Sequence, residues 1–236
     1  MRYWVWSEIK AKVLRDLDLE GETFINEQEL LGYANEAIDE VERQILTLCE
    51  DYFLARGQIT LVPGQEEYDI PDNIYGMKIR QIIYRSGTQV WKLKRLRNWH
   101  KIAIYETEKT INNGTQQYGF FILNSAEGEK PKLLLTPTPT EAGSFLYIWY
   151  LRNANELTGD ASKCDIPEAI NYVMSYMKMK CLEKELHPNL PKAIQDVEQQ
   201  KADTIKTLSD MYADNEDTIE PDYRLYAEMT GGEYNG

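Results

Sequence analysis

Proton transfer at neutral pH relies first on imidazole, and this chain carries two, His100 and His187. His100 stands in a run of cations that disfavours its protonated form. His187 precedes Pro188 in a stretch that cannot continue a helix, so both read as surface or turn residues. Glu66 and Glu67 are adjacent, and neighbours in a strand point to opposite faces, so they make no carboxylate dyad. No GxSxG, HExxH, P-loop or GxGxxG spacing occurs. Asp16, Asp18, Glu20, Gly21 and Glu27 overlap a calcium loop, with Glu20 where Asp or Asn is usual and Thr23 where an aliphatic residue is usual. The same residues describe an acidic solvated turn in which Gly21 breaks one helix and Asn26 caps the next. Cys49, Cys164 and Cys181 are odd in number and form no CxxC pair, so they read as small hydrophobes, without a disulfide framework or zinc site. The expectation is a protein that is not an enzyme and uses no cofactor and no metal.

Binding chemistry is concentrated in two stretches. Lys92, Lys94, Arg95, Arg97 and Lys101 interleave with Trp91, Leu93, Leu96 and Trp99. Cations that grip phosphates beside rings that stack on bases would make a nucleic-acid-binding module over residues 91–101. The favoured reading is a strand running into a short helix with its apolar side buried and its cations facing solvent or an acidic neighbouring subunit. The second stretch is the tail, residues 213–236, where Asp214, Glu216, Asp217, Glu220 and Asp222 precede Tyr223, Leu225, Tyr226, Met229 and Tyr234. Such a segment cannot build a core of its own, and its aromatic content suits ordering on a partner. Tryptophan and tyrosine exposed on a β region would also suit a host-receptor or carbohydrate-binding domain.

The elements that must position these residues follow from periodicity. Ser7 and Glu8 can cap a helix carrying Ile9, Val13, Leu14 and Leu17, and Asn26 with Glu29 forms a capping box for a second whose apolar stripe lasts to about Phe53. From Gln58 the period becomes two, predicting a hairpin from Ile59 to Ile70 around Pro63 and Gly64. Strands at Met77–Tyr84 and Gln89–Leu93 flank a Ser86-Gly87 turn, and another runs from Phe120 to Asn124 after the turn-prone Asn112, Asn113 and Gly114. Lys132–Arg152 reads as a closing hairpin around Pro137, Pro139 and Gly143, followed by a polar connector to Lys163. A helix from Pro167 to about Leu186 and a last one carrying Ile194, Val197, Ile205, Leu208 and Tyr212 should form an antiparallel pair, broken apart at Pro188 and opened again at Pro191. The fold class is therefore α+β: an antiparallel helical bundle formed by N- and C-terminal helix pairs, with an inserted antiparallel β domain. Its parts are an N-terminal arm at 1–56, the β insert at 57–152, a helical hairpin at 153–212 and the tail at 213–236.

Charge bounds the function. Asp and Glu number 39 against 26 Lys and Arg, a net charge of -13 and a pI near 4.7, which excludes general coating of nucleic acid but suits a wall that DNA slides past. No apolar run approaches the roughly 20 residues of a membrane span, and the N-terminus lacks a signal peptide's apolar core. The expectation is a protein made in the cytoplasm with no membrane partner.

The order of these signals resembles one family. The acidic turn after a short helix, the helix LLGYANEAIDEVERQ, the Y-D-I-P at Tyr68 to Pro71, the P-x-P at Pro137 to Pro139 and the I-P-E-A-I at Ile166 together resemble the head-to-tail adaptor (connector) proteins of tailed bacteriophages, the short-tailed kind especially. The resemblance spans residues 7–84 and 131–212, and residues 85–130 have no counterpart in it. It implies a virion structural protein at the portal–tail junction, made in the host bacterial cytoplasm and involved in tail assembly and genome ejection. Its partners would be the portal protein, tail or further collar proteins, and itself as a homo-oligomeric ring, usually of twelve copies. Genomic DNA would pass through without specific binding. Carried onto this chain, the resemblance assigns portal docking to Tyr212, Tyr223, Leu225, Tyr226, Met229 and Tyr234. The basic patch would then face a neighbouring subunit or DNA.

Overall fold

The computed structural model describes residues 3–19, 24–96, 98, 119–123, 130–140 and 142–213. Among these residues the chain is α+β, with four α-helices and two four-stranded sheets. The helices are α1 (Trp6–Asp16), α2 (Glu27–Leu48), α3 (Ile170–Lys184) and α4 (Leu190–Ala213). The strands are β1 (Leu54–Thr60), β2 (Glu67–Asp69), β3 (Ile74–Ser86), β4 (Gln89–Lys92), β5 (Lys94–Arg95), β6 (Gly119–Leu123), β7 (Lys132–Thr136) and β8 (Phe145–Arg152).

The helices begin where unpaired N–H groups find acceptors. Asn26 caps α2 as expected, accepting from the Glu29 N–H at 2.8 Å while the Glu29 carboxylate accepts from the Asn26 N–H at 3.0 Å. The Ser7 cap is corrected: α1 starts two residues earlier, at Trp6, with Val5 at the cap position. Backbone carbonyls do the work of a capping side chain there, because the N–H groups of Trp6 and Ser7 donate to Ser162 and Asp160 at 2.8 and 3.3 Å. α2 ends at Leu48, short of the expected stripe end, although Phe53 remains buried in the same core. After α3, Leu186 adopts a left-handed φ of 51° and His187 donates its N–H to Leu182 O at 3.0 Å, closing the helix before Pro188. Pro191 then sits in the first turn of α4, as predicted.

One apolar cluster joins all four helices. Trp6, Ile9 and Val13 of α1, Leu30, Ile38 and Ile45 of α2, Tyr172, Val173 and Met177 of α3, and Val197 and Leu208 of α4 are buried together. Each large side chain so buried contributes about 1.5–3 kcal/mol. The stretch from Leu151 to Lys163 is not a free polar connector. Leu151, Ala154 and Leu157 are buried in this cluster, and Asn35 of α2 grips Leu157 through two hydrogen bonds of 2.9 and 3.0 Å.

Both expected outer hairpins are also corrected. β1 and β8 belong to a first sheet of order β1-β8-β3-β4, whereas β2 and β7 belong to a second of order β2-β7-β6-β5. β1 therefore does not pair with β2, nor β7 with β8. Pro137 and Pro139 have no N–H for a ladder, so the chain leaves β7 and crosses to the other sheet before resuming as β8 between β1 and β3. Likewise, the 61–66 turn is tied locally, with the Tyr68 hydroxyl accepting from the Val62 N–H at 3.2 Å and lying 2.9 Å from Gln65 O. The β3–β4 hairpin forms as expected, but its turn lies one residue later than Ser86-Gly87, at Gly87 and Thr88, because Ser86 pairs with Gln89. Ile82 and Tyr84 of β3 and Leu146, Ile148 and Tyr150 of β8 share one buried cluster with Tyr68 of β2, Phe120 of β6 and Leu133 and Leu135 of β7. The two sheets thus close face to face on one core.

Candidate functional site

The residues suited to catalysis or metal binding have structural partners. His187 Nδ1 accepts the Asn189 N–H at 3.1 Å within the α3–α4 turn, and His100 lies outside the described residues. Glu66 accepts from the Thr138 hydroxyl at 2.8 Å while Glu67 pairs with Lys132 at 3.4 Å. Asp16 and Glu27, the ends of the calcium-like spacing, pair with Lys178 and Lys10, each at 2.6 Å. Positions 20–23 of that spacing lie outside the described residues. Among the described residues no three His, Cys, Asp or Glu side chains gather as a metal site. All three cysteines are buried, and burial pushes the Cys164 thiol up to about 11 and the Cys181 thiol up to about 12.

The basic stretch is divided by the fold. Trp91 and Lys92 end β4 in the first sheet, whereas Lys94 and Arg95 form β5 at an edge of the second. Leu93 and Leu96 are buried, and the Trp91 ring lies 5.2 Å from that of Tyr84. The apolar half of the pattern is therefore core, and up to Leu96 it is a pair of strands in place of a strand and a helix. Lys92, Lys94 and Arg95 are exposed; Arg97, Trp99 and Lys101 lie outside the described residues.

A surface that the sequence reading did not single out lies on the outer face of the first sheet. Because Leu146, Ile148 and Tyr150 point into the core, Phe145, Tyr147 and Trp149 of β8 point away from it. Ladder register sets their neighbours: Trp149 lies between Arg56 and Gln81, Tyr147 between Gln58 and Ile83, and Phe145 between Thr60 and Arg85. Lys92 and Val90 of β4 extend the last two rows. The Arg56 guanidinium stands 5.3 Å from the Tyr147 ring and 5.8 Å from the Trp149 ring. The signal for this face was present in the alternation FLYIWYLR, but only the pairing of β8 with both β1 and β3 gathers the arginines around the rings.

The helical side is held by charged seams. Glu40 of α2 accepts from the Tyr172 hydroxyl of α3 at 2.7 Å and from Lys201 of α4 at 2.6 Å. Burial alone would raise the Glu40 carboxyl, but Lys201 and Tyr172 outweigh it and hold it below the usual carboxylate range. Glu42 is the contrary case. It is buried, its Oε1 accepts the Ala154 N–H at 2.7 Å, and burial with Asp39 and Asp165 nearby raises its pKa. Arg152 pairs with Asp165 Oδ2 at 2.6 Å, beside that carboxylate. Tyr212 falls in the last turn of α4, and Tyr223, Leu225, Tyr226, Met229 and Tyr234 lie outside the described residues.

These are the features of a scaffold with interaction faces, and a comparison with protein families agrees. The profile of the SU10 adaptor protein family matches residues 5–222, from before α1 to beyond α4. The chain belongs to the SU10 adaptor protein family. No curated protein matches it. The SU10 adaptors are phage head-to-tail adaptors, so this adaptor is a bacteriophage virion structural protein that works with portal and tail proteins. Among the described residues, no helix of the adaptor is long and apolar enough to cross a membrane.

Proposed function

We propose that this adaptor docks on the portal protein through its C-terminal segment and joins the portal to the tail or further collar proteins. In this reading twelve copies close into a ring that forms part of the DNA conduit. The observation that carries it is the family match over residues 5–222, which takes in every element among the described residues. The last helix suits a docking role: α4 buries Val197, Thr204 and Leu208, exposes Ile194 and Met211, and leads directly into the tail. Tyr212, Tyr223, Leu225, Tyr226, Met229 and Tyr234 are the proposed portal contacts, the tyrosines supplying broad contact area at low entropic cost.

The arms at 1–56 and 153–212 form the bundle of the ring, and the β insert at 57–152 projects toward the tail. A net charge of -13 repels phosphates and lets the genome move without specific binding. Purification of the tagged chain from infected cells tests this, beside a version ending at Tyr212. Portal protein is expected with the full chain and lost with the truncation. Equal recovery of portal with both would overturn the assignment of docking to the tail.

A further inference from the structure

We propose that the outer face of the first sheet docks on a second copy of this chain, against an acidic stripe on the neighbour's α4. The contact supplies the subunit interface of the proposed ring and rests on that reading. Arg56, Arg85 and Lys92 share this face with Phe145, Tyr147 and Trp149, and none of the residues in its three rows is acidic. No carboxylate among the described residues pairs with these three cations, in a chain whose net charge is -13. Val90 on the same face is 58% exposed.

The geometry selects the kind of partner. Arg56 covers the Tyr147 and Trp149 rings from 5.3 and 5.8 Å, so those ring faces are not open for a base or a sugar. Arg56 is exposed beside these rings, so its guanidinium N–H groups remain available to receive a carboxylate. The complementary surface is on the chain itself. Asp196, Asp203 and Asp210 recur every seven residues along α4, a spacing that sets them on one side of the helix about 10.5 Å apart, all exposed, with Lys192 and Lys206 on the same side leaving the aspartates one more in number. Val197, Thr204 and Leu208 face inward from the same helix, which turns the stripe outward. None of the three aspartates has a cation partner among the described residues; the Asp203 carboxylate accepts from Gln199 at 3.0 Å. A sheet face meeting a helix stripe is a heterologous contact, the type that propagates around a ring.

Charge reversal on the full chain tests the pairing by sedimentation at low salt. Wild type is expected to self-associate toward a closed ring of finite mass, weakening as salt is added. R56E/R85E and D203R/D210R should each weaken self-association about tenfold or more, since each sets like charges together. Mixed one to one, the two variants should recover self-association, because the first's native stripe meets the second's native face and the first's reversed face meets the second's reversed stripe. Wild type that stays monomeric, variants that associate as wild type does, or a mixture that associates no better than either variant alone would overturn the proposal. Portal recovery is read separately, so loss of portal docking with self-association intact points to the tail reading alone.

Discussion

Single side chains carry the sharpest expectations. Leu186 holds a left-handed φ of 51° while 86% exposed, so it bears the cost of that conformation with no burial to offset it. Leu186→Gly should therefore stabilise the fold by about 1 kcal/mol, read from the urea midpoint at constant slope. Glu42 behaves differently because its folded pKa is raised. An acid with a raised folded pKa favours the fold when protonated, and that favour is lost as pH rises through the folded value. Glu42→Gln should thus gain on wild type at pH 7, and the gain should shrink on acidification. A pH-independent difference would contradict the assignment. The opposite sign applies to Asp16, held low by Lys178, and to Glu40, whose stabilisation is present above the ordinary carboxylate range and lost as pH falls through the depressed values. Neither Leu186 nor Glu42 was singled out by sequence reading, since backbone sign and burial arise only from where the chain turns and what covers it.

Elements were legible to the degree that their cues are local. The capping box at Asn26 and Glu29, the α3–α4 break at Pro188 and the Gly87 turn each depend on neighbours within a few residues, and each stands where expected, the turn one residue late. Asn26→Ala should cost about 1 kcal/mol in thermal or urea unfolding. The outer hairpins failed because alternation reports which side chains face inward, not which strand lies alongside. Leu61, Tyr68, Leu135 and Leu146 face one core, but the strands around them divide between two sheets. The N-terminus of α1 failed for a similar reason, its acceptors lying more than 150 residues away at Asp160 and Ser162. Contacts between helices were equally hidden. Tyr172→Phe removes the hydroxyl that joins α3 to Glu40 and should cost about 1 kcal/mol, leaving the Lys201 bridge in place. Unchanged stability would show that Lys201 alone holds that seam.

At the scale of the molecule, helices and sheets build two cores, and the binding chemistry lies outside both. The basic stretch is an instance: its apolar members Leu93 and Leu96 are buried, and its described cations divide between the two sheets. Family membership makes the chain a phage head-to-tail adaptor, and in the proposed conduit reading the net charge of -13 disfavours general retention of phosphates. Filter binding with duplex DNA at about 0.15 M salt, where screening acts over about 8 Å, should detect no retention. The central claim is that the chain bridges the portal. It is tested most directly by mixing the purified full chain with purified portal rings and measuring the mass of the isolated complex. The account predicts a saturating complex of twelve adaptors per ring that is lost when the chain ends at Tyr212. Portal rings that keep their own mass at saturating adaptor would contradict it.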